Sequence, residues 1–308
     1  MYADDTKIWR RVISADDHWI LQRDIDHLLN WASRNKMVFH PSKCKALAVF
    51  NGYLPDADFL YTISGRIIEH TNLEKDLGIH INSKLNWTEH CAILYSKANQ
   101  RLGLLKRTCS FVKNTSKRRA FYLSQVRSQF EHCQIVWRPS SKSTLEKLES
   151  IQKRALKWVI DDAYISFTNV ANYYRKCKEL DILPICFRFD FKDLLFFHSV
   201  FYAYSVIKMP NYLQPFSGSR LRSSHYDRLS IVSTVIPRTP QNLNTEHSCI
   251  GISKSFFYRA HLTWNQLPLD LRDIGAPSKF KKELLKVIRI DISNCIKSEY
   301  EAEKSYQS

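Results

Sequence analysis

The apolar residues of this chain change period at Asn86-Trp87-Thr88, and that change constrains what each side can fold into. Downstream, His90, Leu94, Ala98, Leu102 and Leu105 recur every three or four residues, the period of a helix that buries one face. A second helix is expected from about Thr115, with Leu123, Val126 and Phe130 inward. A third is expected behind a Ser143-x-x-Glu146 capping box, with Leu145, Leu148, Ile151, Ala155 and Val159 on one side. Upstream, Phe59-Leu60-Tyr61-Thr62-Ile63 and Arg66-Ile67-Ile68 flank Ser64-Gly65, a hairpin signal. Leu77, Ile79 and Ile81 alternate across Asp76 to Asn82, which predicts a further strand. The two periods together predict a helix-rich α+β chain with a small antiparallel sheet.

The first fifty residues add a short strand around Lys7-Ile8-Trp9 and a helix capped at Ser14-Ala15-Asp16-Asp17. Ile20, Leu21, Ile25, Leu28, Leu29 and Ala32 form that helix's apolar stripe. Pro41 marks a boundary before a strand over Ala46 to Phe50. In the last third, Ile185 to about Ile207 is too apolar for a free surface helix, and His198 within it reads as a satisfied core histidine. The polar stretch from about 210 to 249 reads as loop, and the tail after about Asn294 as frayed.

The chain's 308 residues carry a formal charge of +16, a balance that favours polyanionic partners. Its distribution is uneven: from Lys97 to Val159 fifteen Lys or Arg face three Glu, so most of the excess lies in the three helices. A charge run on one helix is usually a solvated face; over three helices the repulsion calls for a phosphate backbone. At the start of the second helix Lys117, Arg118 and Arg119 oppose the macrodipole, which suggests an anion there. Aromatics among these residues, Phe111, Phe121, Tyr122, Trp137 and Trp158, could stack on bases, although most are more simply core.

Eight scattered cysteines show no Cys-X₂-Cys pair and no zinc spacing, and a reduced, intracellular protein, nuclear or cytoplasmic and not secreted, is the simplest reading. No run of about 18 apolar residues would span a bilayer, and no Gly-rich phosphate loop is present.

Further segments carry a resemblance. The chain opens Met1-Tyr2-Ala3-Asp4-Asp5-Thr6-Lys7. After the first helix come Asn35, the apolar triplet Met37-Val38-Phe39 and Pro41-Ser42-Lys43-Cys44-Lys45. Past the period change stand Lys97-Ala98-Asn99-Gln100-Arg101-Leu102-Gly103 and Ile151-Gln152-Lys153-Arg154-Ala155. In this order they resemble the reverse transcriptase of non-LTR, LINE-type retrotransposons of the jockey and chicken-repeat kind, from the Tyr-X-Asp-Asp box onward. His40 departs from that family's usual Asn. Near the end, Ser255-Phe256-Phe257-Tyr258-Arg259-Ala260, Thr263-Trp264-Asn265-Gln266-Leu267-Pro268 and Ser278-Lys279-Phe280-Lys281 resemble the same proteins' C-terminal tail.

The resemblance implies a partial palm over 1–85, a basic helical thumb over 86–180 and a helical C-terminal region over 181–308. It implies RNA-directed DNA polymerisation, in which two Mg²⁺ ions roughly 3.5–4 Å apart clamp the attacking and leaving oxygens. Asp4 would be the principal metal ligand and Asp5 an auxiliary one, with Lys43 protonating the pyrophosphate; Lys43 reads equally well as a solvated lysine. Leu77-Gly78 resembles the primer-grip hairpin, or an ordinary edge hairpin. Lys97, Arg101, Lys106, Arg107, Lys117, Arg118, Arg119, Lys153 and Arg154 would meet an RNA template with its DNA primer, or an RNA–DNA hybrid. The family's first metal-binding aspartate and its fingers precede the Asp-Asp turn, so this sequence is expected to be inactive alone as a polymerase. The alternative from another class is a non-catalytic remnant that binds nucleic acid without reading sequence.

Overall fold

The computed structural model describes residues 6–50, 56–139, 141–215, 230–233 and 255–307, with side chains described as far as 298. It is helix-rich, 59% helical, with small two-stranded sheets, and so is α+β. Two compact units divide it, Met1–His90 and Cys91–Ser308.

In the first unit α1 spans Ala15–Arg34 behind the Ser14 cap. The Asp17 carboxylate accepts the N–H groups of Ile13 (2.9 Å) and Ser14 (3.0 Å), and these backbone bonds hold it below the usual carboxylate range. The strand expected at Lys7 to Trp9 does not form: this stretch pairs with no neighbouring strand, and Trp9 is 86% exposed. The strand expected over Ala46 to Phe50 shrinks to β1 (Lys45–Ala46), which pairs in parallel with β4 (Glu69–His70). Between them β2 (Thr62–Ile63) and β3 (Arg66–Ile67) form the predicted hairpin, with Ser64 at φ +50° and Gly65 at φ +75°. Both central residues at positive φ match strand twist, the condition of a type I′ turn. Helix α1 covers this hairpin, and Tyr61, Ile63 and Ile68 are buried against Leu21, Ile25 and Leu29. Gln22 clips the strand edge: its amide accepts the Thr62 N–H (2.9 Å) and donates to the Thr62 carbonyl (3.0 Å), as a neighbouring strand would.

The alternation across Asp76 to Asn82 hides a second hairpin rather than one strand. β5 (Leu73–Asp76) and β6 (Ile79–Asn82) pair antiparallel, with Leu77 (φ +45°) and Gly78 (φ +88°) as the turn. Asn82, 7% exposed, explains why the period changes where it does. Its Oδ1 accepts the Asn86 N–H (3.0 Å) and its Nδ2 donates to Glu89 (2.8 Å), pinning the entry to α2 (Thr88–Thr108).

In the second unit the inward face of α2 is as its spacing predicts, with Leu94, Ala98, Leu102 and Leu105 buried. The helix expected from Thr115 is α3 (Thr115–Phe121), a π-helical stretch over Tyr122–Arg127, and α4 (Ser128–Glu131). α5 is Gln134–Trp137, and α6 spans Lys142–Val159. The cap of α6 is Ser141, two residues before the expected Ser143. α7 (Val170–Glu179) leads to α8 (Ile185–Phe201), whose first N–H, on Ile185, donates to both oxygens of Glu149 from α6 at 3.1 Å. α8 ends six residues short of Ile207. Ala203 turns to φ +56° and the Tyr204 N–H closes on the Ser199 carbonyl at 2.7 Å.

The stretch read as loop contains β7 (Leu213–Pro215) paired antiparallel with β8 (Ile231–Ser233). Then come α9 (Phe256–Gln266), α10 (Leu269–Arg272) and α11 (Pro277–Gln307), which continues through the tail expected to fray. Phe197, Trp264, Phe280 and Leu284 are fully buried where α8, α9 and α11 meet, each large ring contributing roughly 1.5–3 kcal/mol by leaving water. His198 is the core histidine expected: its Nε2 lies 2.7 Å from the Ile274 carbonyl and its ring stacks on Phe280.

Side-chain bonds within this unit cross residue 180, where the resemblance puts a boundary. Asp193 of α8 receives Arg138 Nη1 and Arg259 Nε, each at 2.8 Å, and Gln134 Nε2 at 3.1 Å, so one carboxylate joins residues 134 to 259. Glu131 binds Arg188 (2.8 Å), Lys192 (2.8 Å) and Arg127 (3.2 Å). Burial by itself would raise the Glu131 carboxyl, but the bonds from Arg188 and Lys192 outweigh it and hold it at about 2. A carboxylate depressed in the fold adds stability above its unfolded value of 4.5, and that stability is lost as pH falls from there toward 2. Glu131→Gln is expected to lower Tm at pH 7, with the gap to wild type closing as both are melted at successively lower pH.

Candidate nucleic-acid interface

Six of the fifteen cations between Lys97 and Val159 are paired. Arg118 and Lys113 meet Asp161, Arg119 meets Asp181, Arg127 meets Glu131, Arg138 meets Asp190 and Asp193, and Lys142 lies 4.0 Å from Glu146. Four of these acids, Asp161, Asp181, Asp190 and Asp193, lie beyond Val159 in sequence, so counting charges by window overstated the excess.

The anion that Arg118 and Arg119 suggested is supplied from within the unit. Arg118, 2% exposed, donates to the Trp158 carbonyl (2.6 Å), to the Val112 carbonyl and to Asp161 (2.7 Å), with its guanidinium over the Trp158 ring. Arg119 donates to the carbonyls of Leu180 and Asp181 (2.7 Å). These carbonyls close the C-terminal ends of α6 and α7, where the macrodipole is negative and a guanidinium is stabilising. Arg118 is thereby enclosed by protein and Arg119 is committed to backbone acceptors.

Among the described residues, nine cations of the same stretch have no acidic group within 4.0 Å: Lys97, Arg101, Lys106, Arg107, Lys117, Lys147, Lys153, Arg154 and Lys157. Three of them converge. On α2, Tyr95, Asn99 and Lys106 share one helical line by their i, i+4, i+11 spacing; on α6, Lys147, Ser150, Arg154 and Lys157 share another. The lines meet where Arg154 donates to Asn99 Oδ1 and comes within 3.5 Å of the Tyr95 hydroxyl. Hydrogen bonds with Asn99 and then Ser150, together with the Arg154 charge, hold the Tyr95 phenol below its usual value. Partial burial, followed by the charges of Arg154 and Lys157, pushes the Lys106 ammonium down. Like charges held together without a counter-charge form a ready anion site.

The remaining cations lie around this cluster or apart from it. Lys97 and Arg101 share a different line of α2, with Arg101 Nη1 3.5 Å from the Gln125 carbonyl of the π-helical stretch. Arg107 and Lys117 are exposed. Lys153 donates to the Phe167 carbonyl (3.1 Å) and lies over the Tyr173 ring, so its role is partly structural. The candidate residues read from the sequence include Lys106 and Arg154 but not Lys157, Lys147, Tyr95 and Asn99, although the charge count holds both lysines. Reading α2 and α6 as facing stripes would have found them.

Because Lys106 is depressed below its unfolded 10.5, the fold disfavours its charged form at neutral pH, an effect that fades as pH rises through the folded value. Lys106→Gln is therefore expected to raise Tm in low salt while removing the stabilisation that added polyanion gives wild type. Paired melts with and without heparin would measure both.

In the first unit, Lys43 is exposed at the end of the 3₁₀ turn Pro41–Lys43, which His40 braces through its Nδ1, 2.9 Å from Ser42 Oγ. Leu77 and Gly78 form the β5–β6 turn described above. Asp4 and Asp5 lie outside the described residues. Among the described residues no group of three or more His, Cys, Asp or Glu is arranged to hold a metal ion, and no helix is long and apolar enough to cross a membrane. The seven described cysteines are unbridged, and burial pushes Cys91, Cys177 and Cys186 up to about 12, too high for ready thiolate chemistry.

Comparison of the chain with protein-family models, with curated proteins and with solved structures finds no match in any of the three.

Proposed function

We propose that this chain binds nucleic acid through the phosphate backbone, without reading sequence, as the downstream part of a non-LTR retrotransposon reverse transcriptase. The observation that carries the binding is the Lys106–Arg154–Lys157 cluster, three cations converging from two helices with no acid within 4.0 Å of them among the described residues. Ammonium and guanidinium groups held this way contact phosphates, which position a strand but distinguish no base. Four features support the polymerase assignment: the order of the motifs from Tyr2-Ala3-Asp4-Asp5 to Phe280, the helix that follows that box, the Leu77-Gly78 hairpin, and the basic helices after it. An intracellular site, nucleus or cytoplasm, belongs to the same proposal.

An RNA–DNA hybrid titrated with the full chain at several salt concentrations tests the binding. The expected result is an affinity that falls steeply with salt and is the same for unrelated sequences. Salt-independent affinity would leave the cluster as a solvated face. A full chain is required, because Asp193 joins α5 to α9 inside one unit.

Catalysis is the finer part of the reading. Mg²⁺ held by Asp4 and Asp5 would supply the Lewis acid for nucleotidyl transfer, and Lys43 would supply a proton to the departing pyrophosphate. A clamp of two ions needs a carboxylate from a second strand besides this pair. Primer extension by the purified chain on an RNA template is therefore expected to be absent. Extension that vanished in Asp4→Ala would overturn that expectation and establish the pair as sufficient.

A further inference from the structure

Packing accounts for most of the aromatics among the basic helices. Tyr122 and Trp137 are fully buried, Phe121 is half-buried and Trp158 lies under the Arg118 guanidinium. Phe111 is different: it is 78% exposed on the loop between α2 and α3. Tyr164, on the loop after α6, is 97% exposed. A single exposed ring needs no explanation. These two stand on loops that are fastened together, beside the cation cluster.

The fastening is specific. Lys113, two residues past Phe111, reaches Asp161 at 3.3 Å, and Arg118 spans from the Val112 carbonyl to the Trp158 carbonyl and Asp161. Asp162 Oδ1 accepts the N–H groups of Tyr164 (2.9 Å) and Ile165 (3.0 Å), which fixes the turn that presents the Tyr164 ring. Lys157 donates to the Ala163 carbonyl at 3.3 Å, so the Tyr164 loop touches the cluster itself. The two acids nearby are already engaged, Asp161 by Arg118 and Lys113, and Asp162 by backbone N–H groups.

We propose that Phe111 and Tyr164 form a stacking platform for unpaired bases, with the phosphates of the same strand on Lys106, Arg154 and Lys157. The site then takes single-stranded nucleic acid as well as duplex. This rests on reading the cluster as a phosphate site. Every base has a π face, so an exposed ring stacks on any of them, but a duplex keeps those faces covered except at its ends. Rings held by loop hydrogen bonds, with a cation row alongside, supply what an unpaired strand offers: alternating bases and charges.

The test uses the full chain, fluorescently labelled oligo-dT and a labelled duplex of equal length, titrated at one salt concentration. Wild type is compared with Phe111→Ala/Tyr164→Ala and with Tyr164→Phe. The double alanine variant is expected to lower the ratio of single-strand to duplex affinity by about tenfold or more, the scale of lost base–aromatic stacking. Tyr164→Phe keeps the ring and is expected to keep the ratio. An unchanged ratio in the double variant, with wild type still binding the duplex, would overturn the platform and leave the phosphate reading standing. Loss in Tyr164→Phe equal to that in the double alanine variant would also overturn it, because the hydroxyl and not the ring face would then be responsible. No binding of either polymer by wild type would overturn both readings.

Discussion

Replacing Lys106, Arg154 and Lys157 together by Gln is expected to flatten the salt dependence of nucleic-acid binding by up to ~2.7 in slope, three contacts at ~0.9 each. At about 0.1 M salt the same loss corresponds to an affinity lower by roughly several hundredfold, uniformly across sequences. The effect is large because, among the described residues, these cations have no acid within 4.0 Å: they crowd one another, and a phosphate is the group that relieves the crowding. The comparison, per charge removed, is Arg118→Gln. Its guanidinium is enclosed and bonded to the ends of two loops, so its loss should appear in Tm and leave the salt slope of the folded protein unchanged. A slope that fell equally per charge removed in both variants would mean that total charge, and not the α2–α6 cluster, governs binding.

Asp193→Ala is expected to remove roughly 3–5 kcal/mol of stability, the range for breaking a buried ion pair from one side. The Asp193 side chain is 3% exposed and stands between the Arg138 and Arg259 guanidiniums. Removing it takes the Asp193 carboxylate from Arg259, which keeps its bond to the Ile135 carbonyl, and leaves Arg138 with Asp190 at 2.7 Å. A domain has only about 5–15 kcal/mol to lose, so the second unit should unfold at markedly lower urea. Asp190, whose side chain is 35% exposed and which serves one arginine, should be several times less sensitive to the same substitution. Urea titration followed by tryptophan fluorescence reports both, and equal effects at 190 and 193 would show that the convergence on Asp193 carries no special weight.

The helices were legible in outline because burying one face of a helix requires local periodicity. The stripes of α1, α2 and α6 were read residue by residue, as was the Ser64-Gly65 hairpin, whose turn is encoded in two adjacent positions. Local rules failed where the deciding partner was distant. The α8 helix looked continuous to Ile207 because its residues stay apolar, yet the backbone turns at Ala203. Alternation across Leu77, Ile79 and Ile81 looked like one strand, because a two-residue turn preserves the parity of the residues around it.

Composition and order determined that this chain would be helix-rich, that its basic residues would gather between Lys97 and Val159, and that His198 would lie in a core. Tertiary structure alone decided which of those basic residues remain available. A charge is neutralised by whatever acid the fold brings within a few ångströms, and Asp161, Asp181, Asp190 and Asp193 reach their arginines from later in the chain. Coulomb attraction depends on distance through space, which a sequence window cannot measure. For the same reason Arg118 and Arg119, the strongest candidates by position at a helix start, became internal clamps. Lys157, which nothing local distinguishes, became part of the candidate site.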